Sequence, residues 1–379
     1  MKRFGSYKFL AIDLSLHLYV WYLFNENDYH YHGGYTMVVH KINNHAFLFL
    51  GMFTLIMLVS GCGNEEVGEQ ENSDNNESGE ENNVTEVEHA LGTAEIEGEP
   101  ERVVTLYQGA TDTAVALDVN PVGAVEPWVE QPMYEYLRED LEDVEIVGDE
   151  IQPNLEEIAA LEPDLIVGTL LRHEEVYDQL NEIAPTVIEK DLNNFKNTLE
   201  VMGEATGQND AAEQLLQEWD KRVADFQYQV EDELGEDWPM SASVINIRSD
   251  EVRMYTGGFP GRIIDEVGFE YTDVQQEAIA DEEDILAFTN RESIPEMDAE
   301  IFFTFTQSNQ GEDESEVEET MENWTNHPLW DELEAVENGE VHMVDEVKWN
   351  LGGGYIAAHH MLDDLYEVFD LEPEETGEG

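Results

Sequence analysis

Short apolar strands alternate with helix-like segments from about residue 100 onward, and this alternation constrains the fold more than any other feature of the sequence. The run PERVVTL over 100–106 follows a proline and is rich in β-branched residues, as strands are. Segment 111–119 has helical spacing, and 155–169 predicts a helix, a Pro-Asp break and a strand. Further strands are predicted at 183–189, 241–248, 299–306 and 339–345. Such alternation favours parallel sheets covered by helices.

One long helical segment interrupts the alternation. Residues 211–235 carry apolar side chains at three- and four-residue spacing, and Gly235 suits a helix C-terminus. The apolar positions are Leu215, Leu216, Trp219, Val223, Phe226, Val230 and Leu234. About 24 helical residues span roughly 36 Å, which is long enough to cross between two lobes. The sequence therefore predicts two Rossmann-like α/β lobes, 96–193 and 236–375, joined by a helical linker over 194–235.

The single cysteine, Cys62, lies where an apolar run ends and an acidic, asparagine-rich run begins. The apolar run over 46–59 is shorter than the about 20 residues that a transmembrane helix needs, and it suits the apolar part of a signal peptide. The residues before the cysteine, 59–61, are Val-Ser-Gly, and together with it they resemble the lipobox of bacterial lipoproteins. That resemblance implies that Cys62 carries a lipid and becomes the first residue of the mature protein.

The remaining N-terminal segments follow from this assignment. A signal peptide over 37–61 can begin at Met37, so residues 1–36 are a doubtful N-terminal extension; the alternative is an unusually long leader. Residues 62–95 are acidic and poor in apolar side chains, and we expect a disordered tether there. The tether would join a lipid anchor at the outer face of the cell membrane to the folded domain.

The charge of the chain excludes several classes of partner. It has 16 Lys and Arg against 88 Asp and Glu, a formal net charge of -72. Such a surface repels nucleic acid and anionic lipid, and it is typical of adaptation to salt or alkaline surroundings. Because most carboxylates are then solvated surface groups, paired carboxylates give no evidence of catalysis. A lone cysteine excludes an intramolecular disulfide and a cysteine-based zinc site.

Several segments, taken in order, resemble one family of binding proteins. They include PNLEEIAALEPDLIVG, LLRHEEVYDQLNEIAPTV, VRMYTGGFPGRIIDEVGF, WTNHPLWDELEAVENGEVHMVD and VKWNLGGGYIAAHHMLDDL. Over about 100–371 the chain is similar to the iron-siderophore and vitamin B12 class of substrate-binding proteins of bacterial ABC importers. The resemblance implies a class III architecture, in which one rigid helix joins two lobes and the ligand binds in the cleft between them. It also implies a monomer without cofactor or enzymatic activity, which delivers a ferric chelate to a permease dimer served by a cytoplasmic ATPase.

Three arginines follow predicted strands in a chain that has few cations: Arg172, Arg248 and Arg253. Ligands of open α/β sheets bind at the carboxyl ends of strands, and guanidinium groups pair bidentately with carboxylates. The resemblance implies the same role for these arginines. The alternative is that they neutralise neighbouring surface carboxylates. We predict an anionic ferric chelate, ferric citrate or a similar siderophore, as the ligand.

Aromatic side chains at strand or turn ends are candidates for the wall of the cleft. They are Tyr107, Trp128, Tyr255 and Trp349. Trp349 precedes a glycine run and a helix, so backbone N–H groups there could face an anion. Arg262 is a weaker candidate for a ligand contact, and we assign structural roles to Arg102, Arg138 and Arg222.

Two glutamates are candidates for docking to the permease. Glu156 in PNLEE and Glu292 in NRESIPEM resemble the acidic pair on the two lobe tips of this family, which implies contact with arginine pockets of the permease dimer. With 88 acidic residues in the chain, the alternative is that both are ordinary surface groups.

Other functions are less well supported by the sequence. The adjacent residues His359 and His360 point about 100° apart on a helix, and no HxH or HExxH spacing occurs within the two predicted lobes, so iron is expected to arrive already chelated. Haem or a corrinoid such as cobalamin is an alternative ligand for the same fold. A secreted hydrolase is a remote alternative, because the sequence has neither a GxSxG elbow nor a Walker loop.

Overall fold

Two five-stranded sheets form the centres of two lobes in the computed structural model, which describes residues 84–308 and 314–374. The predicted α/β class, with two lobes joined by a long helix, is confirmed. The predictions for the extension 1–36, the signal peptide 37–61 and the lipidation of Cys62 lie outside the described residues. Among the residues that are described, no helix is both long and apolar enough to cross a membrane.

An antiparallel hairpin of β1 (Val84–His89) and β2 (Gly92–Glu97) opens the described chain. Its buried side chains are those of Val87, Ala94 and Ile96. The N–H of Ala90, in the turn, donates to the carbonyl of Ile188 at 2.9 Å and so covers an edge of the first sheet. The predicted disordered tether over 62–95 is therefore wrong for its last part. A few apolar residues on one face of the hairpin pack into the core of the lobe, and these contacts order it together with the hydrogen bond to Ile188.

The N-terminal lobe has a wholly parallel sheet. Its strands are β3 (Val103–Thr105), β4 (Gly123–Glu126), β5 (Glu145–Asp149), β6 (Leu165–Thr169) and β7 (Thr186–Glu189). They are ordered β5-β4-β3-β6-β7. Its helices are α1 (Gln108–Ala116), α2 (Leu155–Ala160), α3 (Leu170–His173) and α4 (Tyr177–Asn181). All residues of β6 and β7 are buried because helices cover both faces of the sheet.

Two helices lead from the first lobe to the second. They are α5 (Phe195–Thr206) and α6 (Asn209–Leu234). Gly207 ends α5 with a φ of 73°, a conformation that favours glycine. The 26 residues of α6 span roughly 39 Å. Its buried side chains are Ala212, Trp219, Val223, Phe226 and Val230, most of which belong to the apolar stripe that predicted this helix.

The C-terminal lobe has a mixed sheet. Its strands are β8 (Ala242–Ile247), β9 (Val252–Tyr255), β10 (Ile285–Phe288), β11 (Ile301–Thr306) and β12 (Val341–Met343), ordered β10-β9-β8-β11-β12. The predicted strands β8, β11 and β12 are parallel, whereas β9 is antiparallel to both of its neighbours. Its helices are α7 (Gly258–Glu266), α8 (Asp273–Ala280), α9 (Glu314–Thr325), α10 (Glu334–Asn338) and α11 (Tyr355–Val368).

A buried carboxylate on α1 binds the N-terminus of α11 and so joins the first lobe to the end of the chain. Asp112 Oδ1 accepts a hydrogen bond from Ile356 N–H at 2.8 Å. Its Oδ2 accepts from Ala357 N–H at 3.0 Å and from the Tyr136 hydroxyl at 2.7 Å. The positive end of the helix dipole favours an anion at this place. Complete burial nevertheless raises the pKa of Asp112 from 3.8 to about 6.

We expect Asp112→Asn to lower the free energy of unfolding by about 1–3 kcal/mol, because an amide nitrogen in place of Oδ2 leaves the buried Ala357 N–H without an acceptor. Urea denaturation near pH 4 measures the loss. Asp118→Asn is the matched control, since Asp118 is exposed and has a φ of 58° that asparagine tolerates. Equal stability of the Asp112 variant and the control would contradict the role of this contact.

The stability of the wild type should also depend on pH through Asp112. Because its folded pKa is raised, the folded state binds the proton more tightly than the unfolded state, and this stabilisation is lost as the pH rises from about 4 to about 6. Asp112→Asn has no proton to lose there. The difference in unfolding free energy between wild type and variant should therefore shrink across this interval; a constant difference would contradict the prediction.

Candidate functional site

A cavity of about 460 Å³ lies between the two lobes, at the carboxyl ends of their strands. Residues that follow β3, β4, β5 and β6 line one wall, and the other wall comes from β8, β9, β11 and the turn before α11. Of the predicted ligand-binding residues, six line this cavity: Tyr107, Trp128, Arg172, Arg248, Arg253 and Tyr255. The rule that ligands bind beyond the carboxyl ends of strands correctly predicted the positions of Arg172 and Arg248, whereas Arg253 reaches the cavity from within the antiparallel strand β9.

Arg172 lies on α3, directly after β6, and presents its guanidinium to the cleft. The guanidinium carbon is 5.7 Å from the centre of the Trp128 ring, a cation–π distance. Its Nε is 3.9 Å from Glu150 Oε2, and the side chain is 31% exposed. The charge is therefore oriented by an aromatic ring and a carboxylate while one side remains open to the cavity.

Arg248 and Arg253 present positive charge from the opposite wall. Arg248 is largely buried and donates from Nη1 to Gln307 Oε1, an oxygen that also accepts from Asn246 Nδ2 at 2.9 Å. Arg253 Nε donates to Glu251 Oε1 at 2.6 Å. Arginines from both lobes thus face one cavity, in a chain whose formal net charge is -72.

A buried carboxylate, Glu150, also lines the cleft and was not predicted. It follows β5 and accepts from Gln108 N–H at 2.9 Å and from Trp128 Nε1 at 3.3 Å. Burial raises the pKa of Glu150, whereas the Gln108 N–H, Arg172 and Trp128 act to lower it. Its position directly after a strand could have identified Glu150 as a cleft residue. With 88 acidic residues in the chain, however, this position alone did not distinguish it from surface carboxylates.

The structure corrects one predicted aromatic residue. Trp349 is fully buried, stacks on Phe303 with ring centres 4.8 Å apart and donates from Nε1 to Asp364 Oδ2 at 2.9 Å. The prediction that its side chain walls the cleft is wrong, because a turn of π-helix over Val347–Leu351 directs it into the core. The residues after it, 350–353, line the cavity instead.

Two glycines bring the lobes into backbone contact at the cleft. A β-carbon on Gly109, in the first turn of α1, would lie 2.9 Å from the carbonyl oxygen of Gly353. Any side chain at residue 109 would have to push the turn before α11 away. The spacing of the two walls at this point is therefore set by main-chain contact.

The two predicted docking glutamates occupy matching positions on the two lobes. Glu156 is exposed, and its N–H donates to Asn154 Oδ1 at 3.2 Å; Glu292 is exposed, and its N–H donates to Asn290 Oδ1 at 3.1 Å. Two residues after each glutamate a fully buried isoleucine, Ile158 or Ile294, fixes the turn to its lobe. The sequence pattern Asn-x-Glu-x-Ile therefore builds the same exposed tip twice.

Arg262, Arg222 and His359 have structural partners. Arg262 pairs with Asp191 of the other lobe at 2.6 Å and does not line the cleft. Arg222 donates to His359 Nδ1 at 2.6 Å, and burial lowers the pKa of that histidine to about 4. In the part of the chain that the structure describes, no group of three or more His, Cys, Asp or Glu residues is placed to hold a metal ion.

Several known proteins are similar to this chain in sequence. Residues 103–347 match the family described as periplasmic binding protein. The chain is 44% identical over 270 residues to the achromobactin-binding periplasmic protein of Dickeya dadantii, covering 71% of this chain and 86% of that protein. It is 37% identical over 333 residues to the probable siderophore-binding lipoprotein YfiY of Bacillus subtilis, covering 86% of this chain and 99% of that protein.

Solved structures include similar molecules. The crystal structure of Staphylococcus aureus SirA complexed with staphyloferrin B has a TM-score of 0.74 and 46% sequence identity to this chain, with 76% of this chain and 99% of that chain covered. A protein of the FhuD fold family from Bacillus subtilis has a TM-score of 0.61 at 25% identity, covering 74% of this chain and 98% of that chain.

Proposed function

We propose that this chain, which belongs to the periplasmic binding protein family, captures a ferric siderophore outside the cell membrane and delivers it to the permease of an ABC importer. Members of this family bind substrates and are not enzymes, so the hydrolase alternative is wrong. The ferric chelate is the ligand, and no cofactor takes part. Relatives named for siderophores at 37–46% identity support this function.

The convergence of arginines from both lobes on one cleft carries the proposal for the ligand. Arg172 lies on one wall, and Arg248 and Arg253 lie on the other. Guanidinium groups that face each other across a cavity suit an anion with carboxylates on more than one side. We therefore propose an anionic ferric chelate, either ferric citrate or a larger carboxylate siderophore. The arginines favour such an anion over haem or cobalamin.

Relatives are named for several chelates. A Bacillus subtilis protein named for Fe(3+)-citrate is 28% identical to this chain over 300 residues. The relative named for achromobactin is 44% identical to this chain, and SirA, whose structure was solved in complex with staphyloferrin B, is 46% identical. The last two chelates are thus the first to compare with ferric citrate.

We further propose that Glu156 and Glu292 dock onto the permease dimer. At each tip an asparagine side chain caps the backbone N–H of the glutamate and a buried isoleucine anchors the turn, which suits one contact per permease subunit. Attachment to the membrane through a lipid on Cys62, and action as a monomer, belong to the same proposal. The name of the YfiY relative, a lipoprotein, supports the anchor.

Titration of the full-length protein in detergent with ferric citrate, ferric achromobactin and ferric staphyloferrin B tests the ligand. We expect saturable tryptophan quenching with one ligand per chain, because Trp128 lines the cleft. Arg172→Ala or Arg248→Ala should raise the Kd about 10- to 100-fold, since a charged hydrogen bond contributes about 1.5–3 kcal/mol. Arg291→Ala is the control, because Arg291 is exposed and outside the cleft.

The pattern of binding among these probes distinguishes the alternatives. Tight binding of any of the three chelates, weakened by the cleft variants but not by Arg291→Ala, supports the proposed ligand class. If a folded protein binds none of them and instead binds haem or cobalamin, the anionic-chelate proposal is wrong and the alternative ligand replaces it.

The docking proposal has a separate readout. Glu156→Arg and Glu292→Arg should leave the Kd for the chelate unchanged, because both residues are exposed on the tips, and should strongly reduce uptake of radiolabelled iron by cells. Glu213→Arg, an equally exposed change near the start of α6, is the matched control. Normal uptake with both tip variants would refute docking through these residues.

A further inference from the structure

Glu150 lines the cleft on the same wall as Arg172, where the proposed anion would bind; a second acidic residue, Asp284, lines the opposite wall. The Glu150 side chain is only 8% exposed, and its Oε2 is 3.9 Å from Arg172 Nε. A carboxylate at this place competes with an incoming anion for the same guanidinium. The proposed ligand and Glu150 therefore cannot both remain charged beside Arg172 without repulsion.

The surroundings of Glu150 offer limited compensation for its charge. From α1, the Gln108 N–H donates to Oε1; from the segment after β4, Trp128 Nε1 donates to Oε2; from α3, Arg172 supplies a positive charge. The adjacent Asp149 adds negative charge and raises the pKa of Glu150 further.

The other titratable groups near Glu150 are neutral. Burial lowers the pKa of His173, which follows Arg172 on α3, to about 4. Tyr107 and Tyr134 interact with Glu150, and burial raises the pKa of both phenols above their ordinary value. Of the described groups that act on Glu150, Arg172 is thus the one that supplies positive charge, and it is the group that the ligand would bind.

We propose that binding of an anionic ferric chelate at Arg172 is coupled to the uptake of a proton by Glu150. The proton comes from solvent and forms an O–H bond at Oε2, while Oε1 still accepts from Gln108 N–H. A neutral carboxyl group can donate a hydrogen bond to a carboxylate of the chelate, so repulsion becomes attraction. Capture is consequently tighter at acidic pH. This inference rests on the proposed function.

Calorimetric titration of the full-length protein with ferric staphyloferrin B tests the coupling. The heat of binding in buffers of different ionisation enthalpy gives the number of protons taken up. We expect the wild type to take up a larger number than Glu150→Gln, by up to one proton per chelate. The wild-type Kd should rise with pH by up to tenfold per pH unit, and the variant should lose most of this dependence. Glu145→Gln, an exposed change at the other end of β5, should behave as wild type.

A second measurement does not depend on the folding of a variant. Infrared difference spectra of the wild type should gain a protonated-carboxyl band when the chelate binds, and the absence of such a band would overturn the inference. Binding with equal proton uptake in wild type and Glu150→Gln would overturn the inference and leave the proposed function intact. Failure of the wild type to bind ferric staphyloferrin B, ferric citrate or ferric achromobactin would overturn both.

Discussion

The hydrogen bonds between Asp112 and the N-terminus of α11 determine how the two walls of the cleft meet. Asp112 lies one turn into α1, whose first residues line the cavity, and α11 begins directly after the turn 350–353 that lines it from the other side. The contact joins segments 244 residues apart in the chain. The long helix α6 links the lobes through the chain, but Asp112 fixes the position of the cleft surfaces themselves.

Charge is distributed very unevenly between the surface and the cleft. A formal charge of -72 requires that most of the surface repels anions, yet three arginines from two lobes face one cavity. Each of these guanidinium groups is held by a neighbouring polar group: Glu150 for Arg172, Gln307 for Arg248 and Glu251 for Arg253. Pre-oriented charges cost less side-chain entropy when a ligand binds. The cleft can therefore attract an anion that the rest of the molecule repels.

The sequence predicted the features that depend on local periodicity and on strand ends. The stripe through Trp219 and Val230 predicted α6, and the positions of Arg172 and Arg248 beyond strands predicted the cleft. It did not predict the direction of the Trp349 side chain, which a single turn of π-helix decides. It also missed Glu150 among many surface acids, and it missed the hairpin β1–β2, whose ordering depends on contacts with the distant strand β7.

The contact between Gly109 and Gly353 means that the main chain sets the width of the cleft at this point. No flexible side chain separates the two backbones there, so thermal changes of rotamer cannot alter the aperture at that point. A related protein that carried alanine at position 109 would have to shift the turn before α11, whereas a β-carbon on Gly353 would meet no atom closer than 3.9 Å. Divergence at position 109 thus offers a route by which one scaffold could accommodate chelates of different size without changing a single charged residue.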